Sequence, residues 1–375
     1  MGALKYAMVG GGPGSFIGEV HRKALLLDRK AELIAGCFSR DIIKSRVTAA
    51  ETGTVRVYED YREMIEKEST ITNDRIDFVV IATPNNSHYE IAKLCLEKGF
   101  HVACDKPLTI TVTEAETLEK LANERNLLFL VTHTYMGYIM VKHARDFIKS
   151  GALGDIRIIM AEYSQSGLCN YDPSNTRFWR ADPQYAGSSL TLGDIGTHIE
   201  NAVATFTGLK IKRILAKVET VIKNKPLDDN DYVLVEFDNG ASGVYWASQV
   251  AVGKDNELRL RIFGSEGYIE WNQEDPEVLL IADKSGVNRR VKKGHAEVGE
   301  AAMKYRRIPK GHGEGVIEAM ANLYSNFCDC IAAIKNGSFT KSMIDYPTVY
   351  DGVNGMKFIE ACLKSSRGGN VWINL

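Results

Sequence analysis

The fold of this chain is decided by MVGGGPGSFIGEVHRKA, residues 8–24, in which a strand-like run enters five glycines and continues as a helix-like segment. The literal Gly-x-Gly-x-x-Gly spacing fails in this stretch. Counted from Gly10, the third glycine position falls on Ser15, and counted from Gly12 it falls on Ile17. By itself such a near-miss supports a nucleotide-binding loop only weakly.

Three extra residues in the turn reconcile the stretch with that pattern. Gly10 and Gly12 then keep their places after the strand, and Gly18 becomes the glycine at which a helix packs closely on a sheet. Loop amides and the helix N-terminus would face a pyrophosphate, so we expect a dinucleotide site. The alternative is a glycine-rich hairpin loop without a ligand. The expected contacts are Gly10, Gly12, Ser15, Phe16, Ile17 and Gly18.

Residues 1–132 alternate short apolar runs with helical stretches, which is typical of a parallel sheet wound by crossover helices. The predicted strands are Tyr6–Val9, Leu33–Phe38, Val55–Tyr58, Phe78–Ala82, His101–Cys104 and Leu127–Val131. The predicted helices are Glu19–Asp28, Tyr61–Lys67, His88–Lys98 and Thr113–Asn126, the last opened by a capping box of Thr113 and Glu116. This pattern predicts a Rossmann-type, dinucleotide-binding domain.

Residues 133–375 show long alternating segments separated by hairpin signals such as Asn239-Gly240. The predicted strands are Ile156–Tyr163, Ile211–Val221, Tyr232–Phe237, Ser242–Ser248, Leu258–Phe263, Tyr268–Trp271 and an edge strand at Val371–Leu375. The predicted helices are Asp194–Phe206, Gly313–Lys335 and Thr348–Lys364. The whole chain is therefore expected to be α/β, with a C-terminal α+β domain that holds a large, mainly antiparallel, open-faced sheet and binds the substrate.

The open face of such a sheet is a natural interface between subunits, because one face of an antiparallel sheet has to be covered. The helix at Asp194–Phe206 covers part of the sheet through an apolar stripe. We therefore expect a homodimer or homotetramer that forms through the C-terminal sheet.

Composition limits the possible partners. The chain has 46 Lys and Arg against 48 Asp and Glu, a formal charge of -2, so nothing attracts it to nucleic acid or to an anionic membrane. No apolar run approaches the ~18 residues of a membrane span. Seven scattered cysteines without a CxxC pair predict a reduced, cytoplasmic protein without a metal site. A small-molecule substrate is the expected partner.

Two strand ends carry further candidate cofactor contacts. Ser39 and Arg40 follow the second strand, where an adenosine ribose binds in a Rossmann fold, and this pair favours the 2′-phosphate of NADP. Asp41 is the next residue, so NAD stays open; Arg40 is otherwise a solvated surface cation. The fourth strand ends in polar groups that we expect near the ligand, although Asn86 or Ser87 would serve equally as a helix cap. The expected contacts there are Thr83, Pro84, Asn85 and His88.

A lysine and a histidine are the candidate catalytic residues. Lys106, between Asp105 and Pro107, leaves the fifth strand at its ligand-binding edge, where its ammonium can stabilise an alkoxide. Asp194 and His198, four residues apart, share a helix face, which suits a general base held by a carboxylate. Taken singly, each has a simpler interpretation, as a solvated lysine, a first-turn acid and a satisfied core histidine.

In this order along the chain, the motifs resemble those of the glucose–fructose oxidoreductase / inositol dehydrogenase (Gfo/Idh/MocA) family. The resemblance spans the glycine loop, Thr83-Pro84-Asn85 with His88, Asp105-Lys106-Pro107, and Gly193-Asp194 with Thr197-His198. It implies hydride transfer between a sugar or cyclitol hydroxyl carbon and NAD or NADP. It also implies cofactor contacts for Asp105 and Lys106, and substrate binding and catalysis for Lys106, Asp194 and His198.

Weaker parts of the resemblance concern the substrate. Tyr135, Gln165 and Trp179 lie where dehydrogenases of anhydrosugars or glycosides have sugar contacts. The family's usual Glu-Lys-Pro is Asp105-Lys106-Pro107 here, and Thr134 and Met136 replace the Asn and Arg that often flank the tyrosine. His312, before a long helix, is a further candidate substrate contact or a surface residue.

The long loop Ser164–Leu192 also bears on the substrate, because its Tyr171, Phe178, Trp179 and Tyr185 either face a sugar or simply pack the loop down.

Two other classes stay open. Glycosidases with this fold use NAD transiently and produce no net reduced cofactor. Cofactor-sensing regulatory proteins with this fold typically lack the catalytic lysine or histidine, and this chain has both Lys106 and His198.

Overall fold

A computed structural model describes residues 2–172 and 178–375. Its contacts divide the chain into two units. One comprises the residues up to Thr134 together with Val316–Val353, and the other comprises Tyr135–Gly315 with Asn354–Leu375. The first division falls two residues after the predicted boundary at residue 132. The segment Val316–Val353, however, packs with the N-terminal unit, from which it is distant in sequence.

The N-terminal unit is built on a six-stranded sheet in the order β3-β2-β1-β4-β5-β6, and every neighbouring pair is parallel. The strands are β1 Leu4–Gly10, β2 Ala31–Cys37, β3 Arg56–Val57, β4 Phe78–Ala82, β5 His101–Cys104 and β6 Phe129–Val131. All five residues of β4 are buried, as expected of a central parallel strand that is covered on both faces. The predicted Rossmann sheet is confirmed.

Six helices accompany this sheet in the described N-terminal unit. They are α1 Phe16–Leu27, α2 Ile42–Thr52, α3 Tyr61–Thr70, α4 His88–Glu97, α5 Val112–Glu124 and α10 Val316–Asn336. The predicted capping box of α5 is wrong by two residues. Thr111 is extended and its hydroxyl accepts from the Glu114 amide, while the Glu114 carboxylate accepts from the Thr111 amide. Helix α2 was not predicted, since it buries Ser45 and Thr48 and leaves Ile43 70% exposed.

The C-terminal unit is built on a nine-stranded sheet in the order β14-β13-β12-β11-β7-β10-β9-β8-β15. Its strands are β7 Ile156–Ser164, β8 Ile211–Glu219, β9 Asn230–Phe237, β10 Ser242–Ser248, β11 Glu257–Gly264, β12 Gly267–Asn272, β13 Val278–Asp283, β14 Asn288–Lys292 and β15 Ile373–Asn374. Only β7 and β10 pair in parallel, so the predicted, mainly antiparallel sheet is confirmed. Strands β13 and β14 were not predicted.

Helices cover one face of this sheet. The described helices of the C-terminal unit are α6 Ile139–Lys149, α7 Pro183–Ala186, α8 Thr197–Thr207, α9 Glu300–Met303 and the part of α11 (Val349–Arg367) from Asn354 onward. Helix α8 packs on β7, and Phe358 of α11 lies against Tyr245 of β10.

The other face of the sheet stays open in the chain. Ile158, Tyr232 and Leu234 are 44–49% exposed on it, whereas Val233 and Val235, which alternate with them along β9, are buried. Cross-strand ion pairs such as Arg213 with Glu236 interrupt this apolar surface.

A cluster of buried carboxylates lies in and beside the start of β9. Asp229 accepts hydrogen bonds from the amides of Val221 and Ile222 and pairs with Lys225 at 3.0 Å. Neither carboxylate oxygen of Asp231 has a hydrogen-bond partner among the described residues. Burial first, and the nearby Asp228 second, raise the pKa of Asp231 well above its usual range.

We predict that Asp231→Asn stabilises the protein at neutral and alkaline pH. A carboxyl whose pKa is raised by folding is protonated in the native state and ionises on unfolding, so its contribution to stability falls as pH rises above about 4. An amide has no such cost. We expect the melting temperature at pH 8 to rise by about 2–4 °C for each kcal/mol gained, with a smaller gain toward pH 5, in scanning calorimetry.

The matched control is Asp229→Asn, which breaks the buried ion pair with Lys225 and should lower the melting temperature. A lower melting temperature for Asp231→Asn at pH 8 would contradict the prediction.

Candidate active site

The glycine loop follows β1, and close backbone approach requires three of its glycines. A Cβ on Gly10 would lie 2.2 Å from the Ala82 carbonyl oxygen at the end of β4, and one on Gly12 would lie 2.8 Å from the Phe38 oxygen. A Cβ on Gly18 would lie 2.3 Å from the Cα of Gly11. These contacts let α1 pack directly on the loop.

The N-terminus of α1 is organised beside this loop. Ser15 caps the helix by accepting from the Gly18 amide at 3.2 Å, and Arg22 donates to the Gly11 carbonyl at 2.5 Å. Phe16, the first helical residue, is 76% exposed, and Ile17 is partly buried against the core. The first-turn amides of α1 therefore stand at the edge of the sheet where an anion is favoured.

The residues after β2 form a polar turn. The Ser39 amide donates to Ser45, and the Ser39 hydroxyl accepts from the Asp41 amide at 3.1 Å. Asp41 caps α2 by accepting from the Ile43 amide at 2.9 Å, and Arg40 is exposed. The Asp41 carboxylate, next to the residues expected to bind the adenosine, therefore serves to cap α2.

The turn after β4 is tied to the turn after β5. His88 is buried, with one ring nitrogen 2.9 Å from the Thr83 carbonyl oxygen and the other 3.0 Å from that of Pro107. Pro84 and Thr83 are half-buried and Asn85 is buried. Because His88 is enclosed in this way, it joins the two loops rather than facing solvent.

Lys106 lies in the turn after β5, half-buried, with a cis bond to Pro107. The preceding Asp105 accepts hydrogen bonds from His21 and Thr132. Burial and the positive charge of Lys106 lower the pKa of His133 to about 3, which keeps that imidazole neutral. His133, which sequence reasoning missed, is therefore near Lys106 and uncharged.

In the C-terminal unit, Asp194 and His198 lie on one continuous helical segment that starts with a π-turn. The π-turn is Leu192–Gly196, and α8 follows from Thr197. The predicted α-helix from Asp194 is therefore partly wrong, since the wider turn precedes α8; such turns are frequent at functional sites. His198 is 6% exposed, and Asp194 is half-buried.

Aromatic rings and amides surround His198. Its ring centroid is 4.9 Å from that of Tyr135 and 5.8 Å from that of Tyr163. The two tyrosine hydroxyls are 2.7 Å apart, and Asn256 bonds both of them. Gln165 donates to the same Asn256 oxygen at 2.6 Å. The cluster is composed of uncharged groups that can both donate and accept hydrogen bonds.

The Asp194 carboxylate is held from two sides. Gln249 donates to one oxygen at 2.7 Å, and the Arg180 Nε lies 3.7 Å from the other. Arg180 also stacks over the ring of Trp179 at 4.6 Å. In this way the C-terminal unit brings together Tyr135, Gln165, Asp194 and His198, and Trp179 is linked to them through the neighbouring Arg180.

An aspartate from a distant loop fixes the start of the π-turn. Asp228 accepts from the Leu190 amide with one oxygen, and from the Thr191 amide and the Ser189 hydroxyl with the other. Asp194 therefore projects from a clamped segment.

Other predicted features lie elsewhere. His312 is exposed, and its carbonyl accepts from Lys293. In the loop Ser164–Leu192, residues 173–177 lie outside the described residues. Tyr171 and Phe178 pack against a small apolar cluster, as the packing interpretation predicts.

Sequence reasoning missed Tyr163, Arg180, Gln249 and Asn256. None of these residues belongs to a motif. The sequence could have indicated only Tyr163 and Gln249, because they lie at or just after the ends of strands.

In the described ranges 2–172 and 178–375, no three or more His, Cys, Asp or Glu side chains are grouped to hold a metal ion. No helix in those ranges has both the length and the apolar character needed to cross a membrane.

Known proteins resemble the chain along its length. It is 35% identical to the uncharacterized oxidoreductase YfiI of Bacillus subtilis, over 99% of this chain and 96% of that protein. It is 30% identical to levoglucosan dehydrogenase of Pseudarthrobacter phenanthrenivorans, over 74% and 76%. An inositol dehydrogenase homolog from Azotobacter vinelandii, solved with NADH and myo-inositol, matches with a TM-score of 0.92 at 34% identity, over 100% of this chain and 98% of that chain.

Two family models match most of the chain. Residues 4–133 match the oxidoreductase family with an NAD-binding Rossmann fold, and residues 141–270 match the GFO/IDH/MocA C-terminal domain. The expected resemblance, the fold class and the oxidoreductase class are thereby confirmed. The chain belongs to the GFO/IDH/MocA family of NAD-binding oxidoreductases.

Proposed function

We propose that this protein is an NAD(P)-dependent dehydrogenase that oxidises a hydroxyl-bearing carbon of a sugar, sugar derivative or cyclitol. The observation that carries the proposal is the environment of His198, a buried imidazole between two tyrosines and beside a carboxylate and three side-chain amides. Such groups match the alternating donors and acceptors of a neutral polyol.

The N-terminal unit fits the cofactor. The space beside Gly10 and Gly12 admits no Cβ, so no side chain at these positions would separate the backbone from a pyrophosphate placed at the start of α1. We propose that Ser39 and Arg40 meet the adenosine end, where they suit a 2′-phosphate. NADP is the preferred cofactor on this argument, and NAD is the alternative.

At the reacting carbon, we propose that Lys106 and His198 serve the same hydroxyl. When bound, the nicotinamide supplies the hydride acceptor. His198 takes the hydroxyl proton, and the ammonium of Lys106 stabilises the negative charge that develops on that oxygen. Asp194, held by Gln249 and Arg180, orients the substrate and the imidazole.

The substrate class rests on the groups around His198 and on two relatives. One relative is a levoglucosan dehydrogenase, and a second was solved with myo-inositol. Both compounds are neutral rings with several hydroxyls. We propose Tyr135, Gln165 and Trp179 as substrate contacts and keep His312 as an outlying candidate.

We propose further that the open face of the C-terminal sheet joins subunits into a homodimer or homotetramer. Its apolar centre, with Ile158, Tyr232 and Leu234, is interrupted by charged pairs, as interfaces between subunits are. A cytoplasmic location agrees with the seven cysteines, all within the described ranges, which form no disulfide.

The primary test is turnover on a panel of cyclitols, anhydrosugars and sugars, with NAD and NADP supplied separately. We expect net formation of reduced cofactor, measured by absorbance, and a lower KM for NADP. Turnover of a glycoside without net reduction would instead favour the glycosidase mechanism.

Substitutions at Lys106 and His198 test whether the two residues act on one step. We expect Lys106→Met to lower kcat about 10²–10³-fold and His198→Asn about 10²–10⁴-fold, with NADPH affinity nearly unchanged. The double variant should lose little more than the worse single one, because residues that act as a unit are not additive. Lys120→Met, at an exposed lysine of α5, is the control.

Fully multiplicative losses in the double variant would contradict a shared step.

Gly18→Ala tests the proposed cofactor site at the glycine loop. The added methyl meets the Gly11 backbone, so α1 has to shift, and we expect NADPH affinity, measured by fluorescence titration, to fall at least about tenfold, or 1.4 kcal/mol. Gly299→Ala, where a Cβ has open space, should leave affinity unchanged. Equal NADPH affinities for both variants would contradict cofactor binding at the glycine loop.

Leu234→Lys tests the interface. A charge in the middle of the apolar face should lower the oligomer's mass in light scattering, because it cannot be buried without a partner. Val55→Lys, at an 80% exposed site of the N-terminal unit, is the matched control. An unchanged mass for Leu234→Lys would locate the interface elsewhere.

A further inference from the structure

The turn that carries Lys106 is pinned on both sides by buried side chains. Asp105 accepts from Thr132 at 2.7 Å and lies 2.9 Å from the Nε2 of His21, and one oxygen takes both bonds. On the other side, His88 lies 3.0 Å from the Pro107 carbonyl oxygen. The backbone of Lys106 is therefore fixed at both neighbours.

A second hydrogen bond holds His21 itself. Its Nδ1 lies 2.6 Å from the hydroxyl of Tyr324, which comes from α10, 303 residues away. The His21 residue is 0% exposed and Tyr324 is 1% exposed. Because His21 and Tyr324 are buried, a bond that either side chain loses is not readily replaced by one to solvent, and breaking it is costly.

The direction of these bonds follows from their chemistry. A carboxylate only accepts, so the Nε2 of His21 donates to Asp105 in either charge state of the ring. Toward Tyr324, a neutral ring accepts from the hydroxyl, and a charged ring donates to it. A continuous Tyr324–His21–Asp105 relay therefore exists in both states.

The groups around Asp105 favour its ionised form. Burial alone would raise the pKa of this carboxyl, but attraction to His21, the bonds from His21 and Thr132, and attraction to His88 bring it below its usual value. The other titratable groups nearby are Lys106, Tyr324 and Cys104. The side-chain hydrogen bonds to Asp105 come from His21 and Thr132.

We propose that His21 and Tyr324 are positioning residues for Lys106: through the bond from His21 to Asp105 they hold the turn fixed, so that the ammonium is held in one place for catalysis. His21 also belongs to α1, the helix that starts at the glycine loop. The relay thus joins the cofactor loop to the lysine through one side chain. This inference rests on the proposed role of Lys106 in the dehydrogenase reaction.

The experiment compares His21→Leu, His21→Gln and Tyr324→Phe. Glutamine can still donate to Asp105, whereas leucine cannot. We expect His21→Leu to lower kcat at pH 7 at least tenfold and to move the acid limb of the kcat profile upward by a pH unit or more. His21→Gln should recover most of kcat, and Tyr324→Phe should lose about three- to tenfold.

Asp105→Asn shows whether Asp105 causes the shift. In the His21→Leu background, adding Asp105→Asn should remove the pH shift, because the carboxyl that titrates is gone. An upward shift that persists in this double variant would overturn the proposal.

Two substitutions control for loss of buried groups. His101→Leu removes a histidine at the other end of β5, and Tyr346→Phe removes a buried hydroxyl to which the described part of the chain offers no hydrogen-bond partner. Both should leave the pH profile unchanged. If His21→Leu lowers only the melting temperature, with the profile and kcat unchanged, the histidine is merely structural and the proposal fails.

A readout without turnover separates this inference from the proposed function. We compare the melting temperatures of the protein that retains Asp105 and of its Asp105→Asn variant. Their difference should not change between pH 5 and 8, because a carboxyl whose pKa is lowered by folding makes stability depend on pH only below about pH 4. In the His21→Leu background the pKa is raised, so the difference should fall as pH rises. If this pattern appears without turnover on the panel, the relay holds Asp105 ionised but the catalytic role of Lys106 is wrong. A flat difference in both backgrounds would overturn the relay.

Discussion

The N-terminal unit depends on how closely its backbone segments approach one another around the glycine loop. The Cα of Gly11 lies where a side chain on Gly18 would have to stand, and the end of β4 closes the space beside Gly10 in the same way. This contact sets the position of α1. Ser15, Arg22 and His21 all act from that helix, on the first-turn amides, the loop and Asp105 respectively. The proposed cofactor site and the bonds that support the turn of Lys106 therefore both depend on this close packing of α1 against the loop.

The C-terminal unit achieves order by a different means, through side-chain hydrogen bonds. Asp228 clamps the start of the π-turn, and Gln249 holds the carboxylate that projects from that turn. Tyr135, Tyr163 and Asn256 form a closed set of bonds beside His198. Groups held in this way lose little freedom when a ligand binds, which is an advantage for a site that has to recognise several similar hydroxyls.

The sequence predicts those parts of the structure whose signal is local. Strand β4 is an unbroken apolar run, and Asn239-Gly240 is a hairpin signal, so both were found. Helix α2 was not predicted because it buries the polar Ser45. Strand β14 was not predicted because Val291 is its only buried residue. The motif residues of the candidate site are named from the sequence, but Gln249 lies just after β10 and Asn256 just before β11, at positions that carry no pattern. The assignment of Val316–Val353 to the N-terminal unit depends on contacts between residues about 300 positions apart, which no local pattern records.

The bond between His21 and Tyr324 has a consequence for how the protein is made. A ribosome synthesises the glycine loop first and Tyr324 only after most of the chain has emerged. Until then, the six-stranded sheet lacks the helix that covers part of its apolar core, in which Phe327 packs against Phe78. The nucleotide-binding half therefore cannot complete its core when only residues 1–134 have been translated, and part of its apolar surface has no covering helix until residues 316–336 have been made.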